Sequence, residues 1–434
     1  MLWDKGTRPA DWVTRFTVGE DARWDTILLP YDLAGTRAHA WGLVQIGLLT
    51  ADEYAAIEDA LDDLHTLHAE GQLIVTPADE DMHTVIEQRL TERLGDVGKK
   101  IHTGRSRNDQ VLTALRLYLR DALRQAGRQT ADLVEALCVH GERYDQALMP
   151  GYTHYQRAMP TTAGQWALGY AEVLLSDLAA LEAADRQINV SPLGSAAGYG
   201  VPFLALPRAE TAARLGYASV QTHVTTVQLS RGKTELHVLH ALVQVGATLN
   251  RLASDLVLMN SAEFGFVQLP AAYCTGSSIM PQKQNPDVLE LARATYHRLL
   301  AEMQVLTTLP ANLPSGYHRD LQLTKEAVMR GVLTAHDLLE ALQRVVPDLS
   351  FDEEAMAAAC TPELFATAEA LRRVQQGTPF REAYREAAAA LADLDAPTPA
   401  EALAAYRVPG YPGQGQPEAL RAHLVAAQGW CTGS

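Results

Sequence analysis

Residues 110–146 read QVLTALRLYLRDALRQAGRQTADLVEALCVHGERYDQ, and this stretch decides the fold. Its apolar positions Val111, Leu115, Leu119 and Leu123 recur at helical spacing, and no proline interrupts it. At 1.5 Å per residue it predicts a single helix roughly 55 Å long. Working outward, four more long helices are predicted over 160–188, 228–262, 286–308 and 319–346. Pro160 and Pro286 fall where a first-turn proline belongs, and Asn285 is a candidate N-cap. Five helices of this length exceed the usual globular range. They imply an all-α fold with an elongated central bundle. Apolar residues on more than one face of such a bundle must pack against copies of it, so a homo-oligomer is expected.

Shorter amphipathic helices are predicted at 33–48, 51–70 and 80–95. From about residue 350 the chain is Ala-rich, with Thr398 as a candidate N-cap before Pro399 and a Pro409–Gly413 turn before the last helix. Strand signals are scarce. The expected division is three helical domains: 1–105, the central bundle 106–350 with a loop at 274–286, and 351–434.

The 434 residues are 47% hydrophobic and 20% charged, which suits a globular chain with a sizeable core. The formal net charge of −16 argues against nucleic acid and anionic membrane as partners. An anionic ligand would then need a locally basic site. Cys138, Cys274, Cys360 and Cys431 are scattered, with no CxxC pair, so neither a disulfide framework nor a zinc ribbon is expected. Met1–Gly6 lacks the apolar segment of a signal peptide, and no apolar run approaches the ~20 residues of a membrane span. A soluble cytoplasmic protein is expected. Asp81, His83 and His102 are conceivable metal ligands, but no HExxH or Cys/His cluster accompanies them. No glycine-rich phosphate loop occurs either, so no metal and no cofactor is expected.

Four breaks between helices collect polar groups. The first, 97–109, carries Lys99, Lys100, His102, Arg105 and Arg107 beside Gly98 and Gly104. It is an anion site or a solvated basic loop facing Asp79-Glu80-Asp81. The second, 150–157, places His154 near a helix start, where it is a proton carrier or an ordinary hydrogen-bonder. The third runs Gly276-Ser277-Ser278-Ile279-Met280-Pro281-Gln282-Lys283-Gln284-Asn285-Pro286. A serine there acts as a base only if backbone amides and a cation such as Lys283 stabilise its alkoxide; otherwise the segment is a Ser/Gly connector. In the fourth, 313–325, a helix starting near His318 would align Arg319, Gln322 and Lys325 as one polar stripe, the common form of a surface face.

Taken together the four breaks resemble the fumarase/aspartase superfamily. The third matches that superfamily's loop GSSxMPxKxNP at every fixed position. The stretch His102-Thr103-Gly104-Arg105-Ser106-Arg107-Asn108-Asp109-Gln110 resembles the argininosuccinate lyase branch, as do Gly151–His154, Phe264–Tyr273 and Leu313–Gln322. The resemblance runs from about Asp4 to Arg385 and includes Phe16-Thr17-Val18-Gly19. It implies a homotetramer whose active sites gather segments from three subunits, and elimination of fumarate from argininosuccinate with no cofactor. Position by position it implies that Ser277 and His154 form the acid/base pair. Lys283 and Asn285 would hold the carboxylate that gains charge, and Glu290 would orient His154. Asn108, Thr153, Tyr317, Gln322 and Lys325 match substrate-binding positions; Asp25, His83, Ser106, Arg107 and Arg231 match further pocket residues. One position departs from the pattern: Asp21 stands where many members have serine, and a pairing with the substrate's α-ammonium is one reading of it. Other readings of the chain are a different fumarate-releasing lyase, such as an adenylosuccinate lyase, or a non-catalytic crystallin-like scaffold.

Overall fold

In the computed structural model, which describes residues 10–432, helix Arg107–Arg143 covers the quoted stretch except its last three residues, which form a turn. The Met1–Gly6 reading lies outside the described residues. Ser106 starts this helix: its Oγ accepts the Asn108 amide at 3.3 Å, while Asp109 accepts the Ser106 amide at 3.1 Å. This reciprocal arrangement satisfies two amides that a helix start leaves unpaired. Four other long helices follow: Ala163–Ile188, Lys233–Met259, Asp287–Thr308 and Leu323–Val345. Thr398 caps Pro399–Ala404 through a capping box with Glu401, as its sequence position suggests.

Three local expectations are corrected. The helix predicted at 33–48 runs Asp21–Gln45, straight through Pro30. Burial of Leu28, Leu29 and Leu33 offsets the backbone hydrogen bond that the proline removes. Pro160 does not open a helix. It lies in a β-hairpin of Leu148–Thr153 and Gln156–Thr162, paired with Pro150, and the helix begins at Ala163. Asn285 does not cap the next helix; its side chain donates to the Gly276 carbonyl at 3.4 Å.

Contacts divide the chain into two compact units, each discontinuous in sequence. The first comprises Met1–Arg124, Ala183–Ala241 and Leu299–Leu333; the second comprises Gln125–Glu182, Leu242–Arg298 and Thr334–Ser434. Each long helix is split between them, so this division is not the three-segment one expected from sequence, which stays a proposal. In the first unit, a Cβ added to Gly331 would sit 2.5 Å from Leu239, so two long helices meet there at glycine distance. In the second, Gly141 gives Leu168 the same clearance. There the hairpin base, Leu148, joins a core with Cys360, Leu364, Phe365, Ala402 and Leu403. No described helix is long and apolar enough to cross a membrane.

Candidate functional site

The first unit contains a polar cavity lined by Asp21, Asp25, Glu80, Asp81, His83, Arg107, Asn108, Arg231, Tyr317, Arg319, Gln322 and Lys325, with Val18 and Val111. Its elements explain the convergence. A 3₁₀ turn, Arg319–Gln322, precedes helix Leu323–Val345. At three residues per turn, Arg319, Gln322 and Lys325 fall on one side. The predicted polar stripe therefore lines a cavity, with Lys325 buried, Gln322 half-buried and Arg319 still exposed. Arg319 and Gln322 both donate to the Thr17 carbonyl, at 3.0 and 2.8 Å. Opposite, Asp21 and Asp25 are four apart on helix Asp21–Gln45 and share a face.

Lys325 is the hub. Its Nζ lies 2.6 Å from Asp25 Oδ1 and 3.1 Å from Asp21 Oδ1. Asp25 Oδ2 accepts the Met82 amide at 3.1 Å, which helps start the helix that carries His83. Burial disfavours the Lys325 ammonium, but the two carboxylates outweigh it and raise its pKa above the ordinary value. Burial raises the Asp21 carboxyl, partly opposed by Lys325.

Arg231 is the group most in need of a ligand. It is 6% exposed, and its Nε and Nη1 have no hydrogen-bond partner among the described residues. Its guanidinium lies 5.2 Å over the Tyr317 ring. Burial lowers its pKa, the mark of a desolvated cation short of counter-charge. A carboxylate entering the cavity would supply that charge and fill the empty donors. Arg107 is already engaged: Nη1 lies 2.8 Å from Glu80 Oε1 and Nε 3.2 Å from Asp81 Oδ2. The acidic stretch before it thus serves as its partner.

Behind the cavity, His83 Nδ1 donates to Asp32 Oδ2 at 2.7 Å, and Arg105 donates to Thr36 Oγ1 at 2.9 Å with Asp32 Oδ1 at 3.7 Å. Burial works against the charged ring, but Asp32, Asp81 and Asp25 prevail and raise the His83 pKa above the usual histidine value. A raised folded-state pKa means that the stabilising contribution is complete below about 6.5 and is lost as pH rises through the folded value. Histidine-selective NMR should show His83 titrating above 6.5, and Asp32→Asn should move it below. A wild-type midpoint under 6.5 would contradict the assignment.

Asp25, His83, Arg107, Asn108, Arg231, Tyr317, Gln322 and Lys325 therefore share one cavity. Ser106 is not among its lining residues; it caps its helix. Asp109, quoted in the basic stretch but given no role, accepts the Gly194 and Ala196 amides at 3.0 and 2.8 Å. Burial pushes its carboxyl up to about 6 against those amides. It ties the 194–196 turn to the start of the long helix.

The remaining expected residues belong to the second unit. His154 is not at a helix start. His154 and Tyr155 form the two-residue turn of the hairpin, with φ of 54° and 58°. Positive φ at both central positions is the turn type whose twist suits a hairpin. Neither residue is glycine, so the turn is strained, by about 1–3 kcal/mol per residue. That strain presents an exposed imidazole beside Thr153 at the tip. Tyr152 packs on Phe264, ring centroids 5.5 Å apart, at the start of the segment that leads into the Gly276 loop.

Thr275 and Asn285 close that loop by exchanging backbone bonds of 3.1 and 2.8 Å. Inside it, Ser277 Oγ accepts the Met280 amide at 3.1 Å and the Ile279 amide at 3.4 Å. Lys283 is exposed, and Glu290 lies in the first turn of helix Asp287–Thr308. No hydrogen bond or ion pair joins Glu290 to His154 among the described residues.

The chain matches the profile of a family described as "Lyase" over residues 13–300. It is similar to an argininosuccinate lyase of Sorangium cellulosum, 46% identical over 95% of both chains. An argininosuccinate lyase of Xanthomonas campestris pv. campestris is 42% identical over 99% of both. Among solved structures, a variant of EDDS lyase with bound fumarate superposes with a TM-score of 0.78 at 24% identity, covering 99% of this chain and 91% of that one. A class II fumarase of Schistosoma mansoni gives 0.71 at 17%, covering 86% and 90%. At those identities the two structures speak for the helical fold alone.

Proposed function

Because this chain belongs to the argininosuccinate lyase family, we infer that it cleaves 2-(Nω-L-arginino)succinate to L-arginine and fumarate by anti β-elimination. The observation that carries the chemistry is the Ser277 hydroxyl, held by two amides of its own loop. Those amides supply the stabilisation that a serine alkoxide requires. Ser277 and His154 form the acid/base pair. The proton leaves the succinate carbon, its electron pair enters the adjacent carboxylate, and Lys283 and Asn285 hold the charge that develops there. That pair then returns to form the C=C bond of fumarate as the C–N bond breaks, the C–N electrons go to the guanidine nitrogen, and a proton completes arginine. We place the reaction in the cytoplasm, as the last step of arginine biosynthesis.

The cavity of the first unit is about 90 Å³, small against the roughly 300 Å³ at the lower end for ligand pockets. It grips one end of a ligand rather than enclosing it. We propose a homotetramer in which Ser277, Lys283 and Asn285, His154 with Thr153, and the Lys325 cavity come from three subunits, with Glu290 reaching His154 in that assembly. Purified protein incubated with argininosuccinate should release fumarate, read by its ultraviolet absorbance. A different fumarate-releasing lyase or a scaffold would leave argininosuccinate intact. His154→Asn and Lys283→Met proteins, each inactive, should regain part of the activity after subunit exchange. No recovery in verified mixed oligomers would reject shared sites.

A further inference from the structure

The cavity places an anion and a cation side by side where a ligand can reach them. Asp25 is 1% exposed, and both of its oxygens are used, one by Lys325 and one by the Met82 amide. Asp21 differs. Its side chain keeps 19% exposure and lines the cavity; Oδ1 lies 3.1 Å from Lys325 Nζ, and Oδ2 has no partner among the described residues. Lys325 has three N–H donors, of which the two carboxylates occupy two.

The following rests on the argininosuccinate reading. That substrate's succinate end carries two carboxylates and no cation, and Asp21 would repel it. The guanidinium is bonded to the succinate carbon whose C–N bond breaks and which carries a carboxylate, so it belongs with Ser277 and His154 at the reacting bond and brings that anion with it. Only the arginine end bears an ammonium and a carboxylate on one carbon, the mirror of the Asp21–Lys325 pair. We propose that Asp21 selects the substrate by the charge on its α-amino group: the α-ammonium pairs with Asp21 Oδ2, and the α-carboxylate takes the third N–H of Lys325. An argininosuccinate acylated at that nitrogen loses the charge and is refused.

The test is a cycle between protein and ligand. The probes are argininosuccinate and its deamino analogue, which has hydrogen in place of the α-amino group. Asp21→Asn keeps the side-chain shape and should lower kcat/KM for argininosuccinate by about 10–100-fold, the worth of a charged hydrogen bond, yet change it for the deamino analogue by no more than about twofold. Equal losses for both substrates would overturn the proposal, because Asp21 would then act through Lys325 or the guanidinium; so would no loss for either. Should the variant fail to fold, the wild-type protein decides alone: it must prefer argininosuccinate over the deamino analogue by at least about tenfold, and equal turnover of the two overturns the proposal. A wild-type protein that releases no fumarate from argininosuccinate instead fails the underlying reading, and this inference falls with it.

Discussion

Ser277→Ala is expected to lower turnover of argininosuccinate by roughly 10²–10⁴-fold, the range for removing one positioned proton-transfer group, while leaving the protein folded. The loss should fall on kcat, because in the proposed mechanism the hydroxyl acts on the carbon that changes in the transition state. Stability should hardly move. Ser277 sits in an exposed loop, and its Oγ accepts only from Ile279 and Met280 in that same loop. Without the hydroxyl those two amides turn to water, a change within about 0.5 kcal/mol. Steady-state kinetics and a thermal midpoint separate the two effects. Turnover within a few-fold of wild type would remove Ser277 from the mechanism; a collapsed midpoint would mean that the loss is structural.

Lys325→Met should cost a large part of the chain's stability. Lys325 is 4% exposed and Asp25 1%. Removing the ammonium leaves a buried carboxylate with no counter-ion, which costs about 3–5 kcal/mol. Asp21, whose carboxyl burial already raises, loses its opposing cation as well. Carboxyls with a raised folded-state pKa contribute no penalty below their unfolded value, near 3.9, and a growing one as pH rises to the folded value. The deficit against wild type should therefore be smaller at pH 5 than at pH 8. A second change, Asp25→Asn, should recover part of the stability but none of the substrate binding. A urea midpoint equal to wild type at pH 8 would show that the Asp21–Lys325–Asp25 cluster does not hold the cavity together.

Much of the fold was legible because long helices announce themselves by periodicity. The stretch from Val111 to Leu123 repeats apolar residues over many turns without proline, and the structure keeps it as one helix. The hairpin at Leu148–Thr162 was not legible. Its turn is His154-Tyr155, with none of the Asn-Gly or Asp-Gly chemistry that marks a two-residue turn. Asp21 and Asp25 were named through the resemblance, but their common face was hidden for a related reason. Their spacing of four means a shared face only on a helix, and the helix predicted there began at 33, beyond both residues.

The chain alone determined which residues are chemically able to act: a loop with Ser277 and Lys283, a basic stretch before a long helix, and a stripe of Arg319, Gln322 and Lys325. Motif and spacing are local properties, and sequence carries them directly. Only the tertiary structure decided what each group faces. It turned the stripe into a cavity wall, closed Asp25 and Asp21 around Lys325, left Arg231 buried with empty donors, and lifted His154 onto a strained turn. Burial and counter-charge depend on residues hundreds of positions apart, as Asp25 and Lys325 are. No local pattern encodes them, because desolvation is set by what packs around a group and not by its neighbours in the chain.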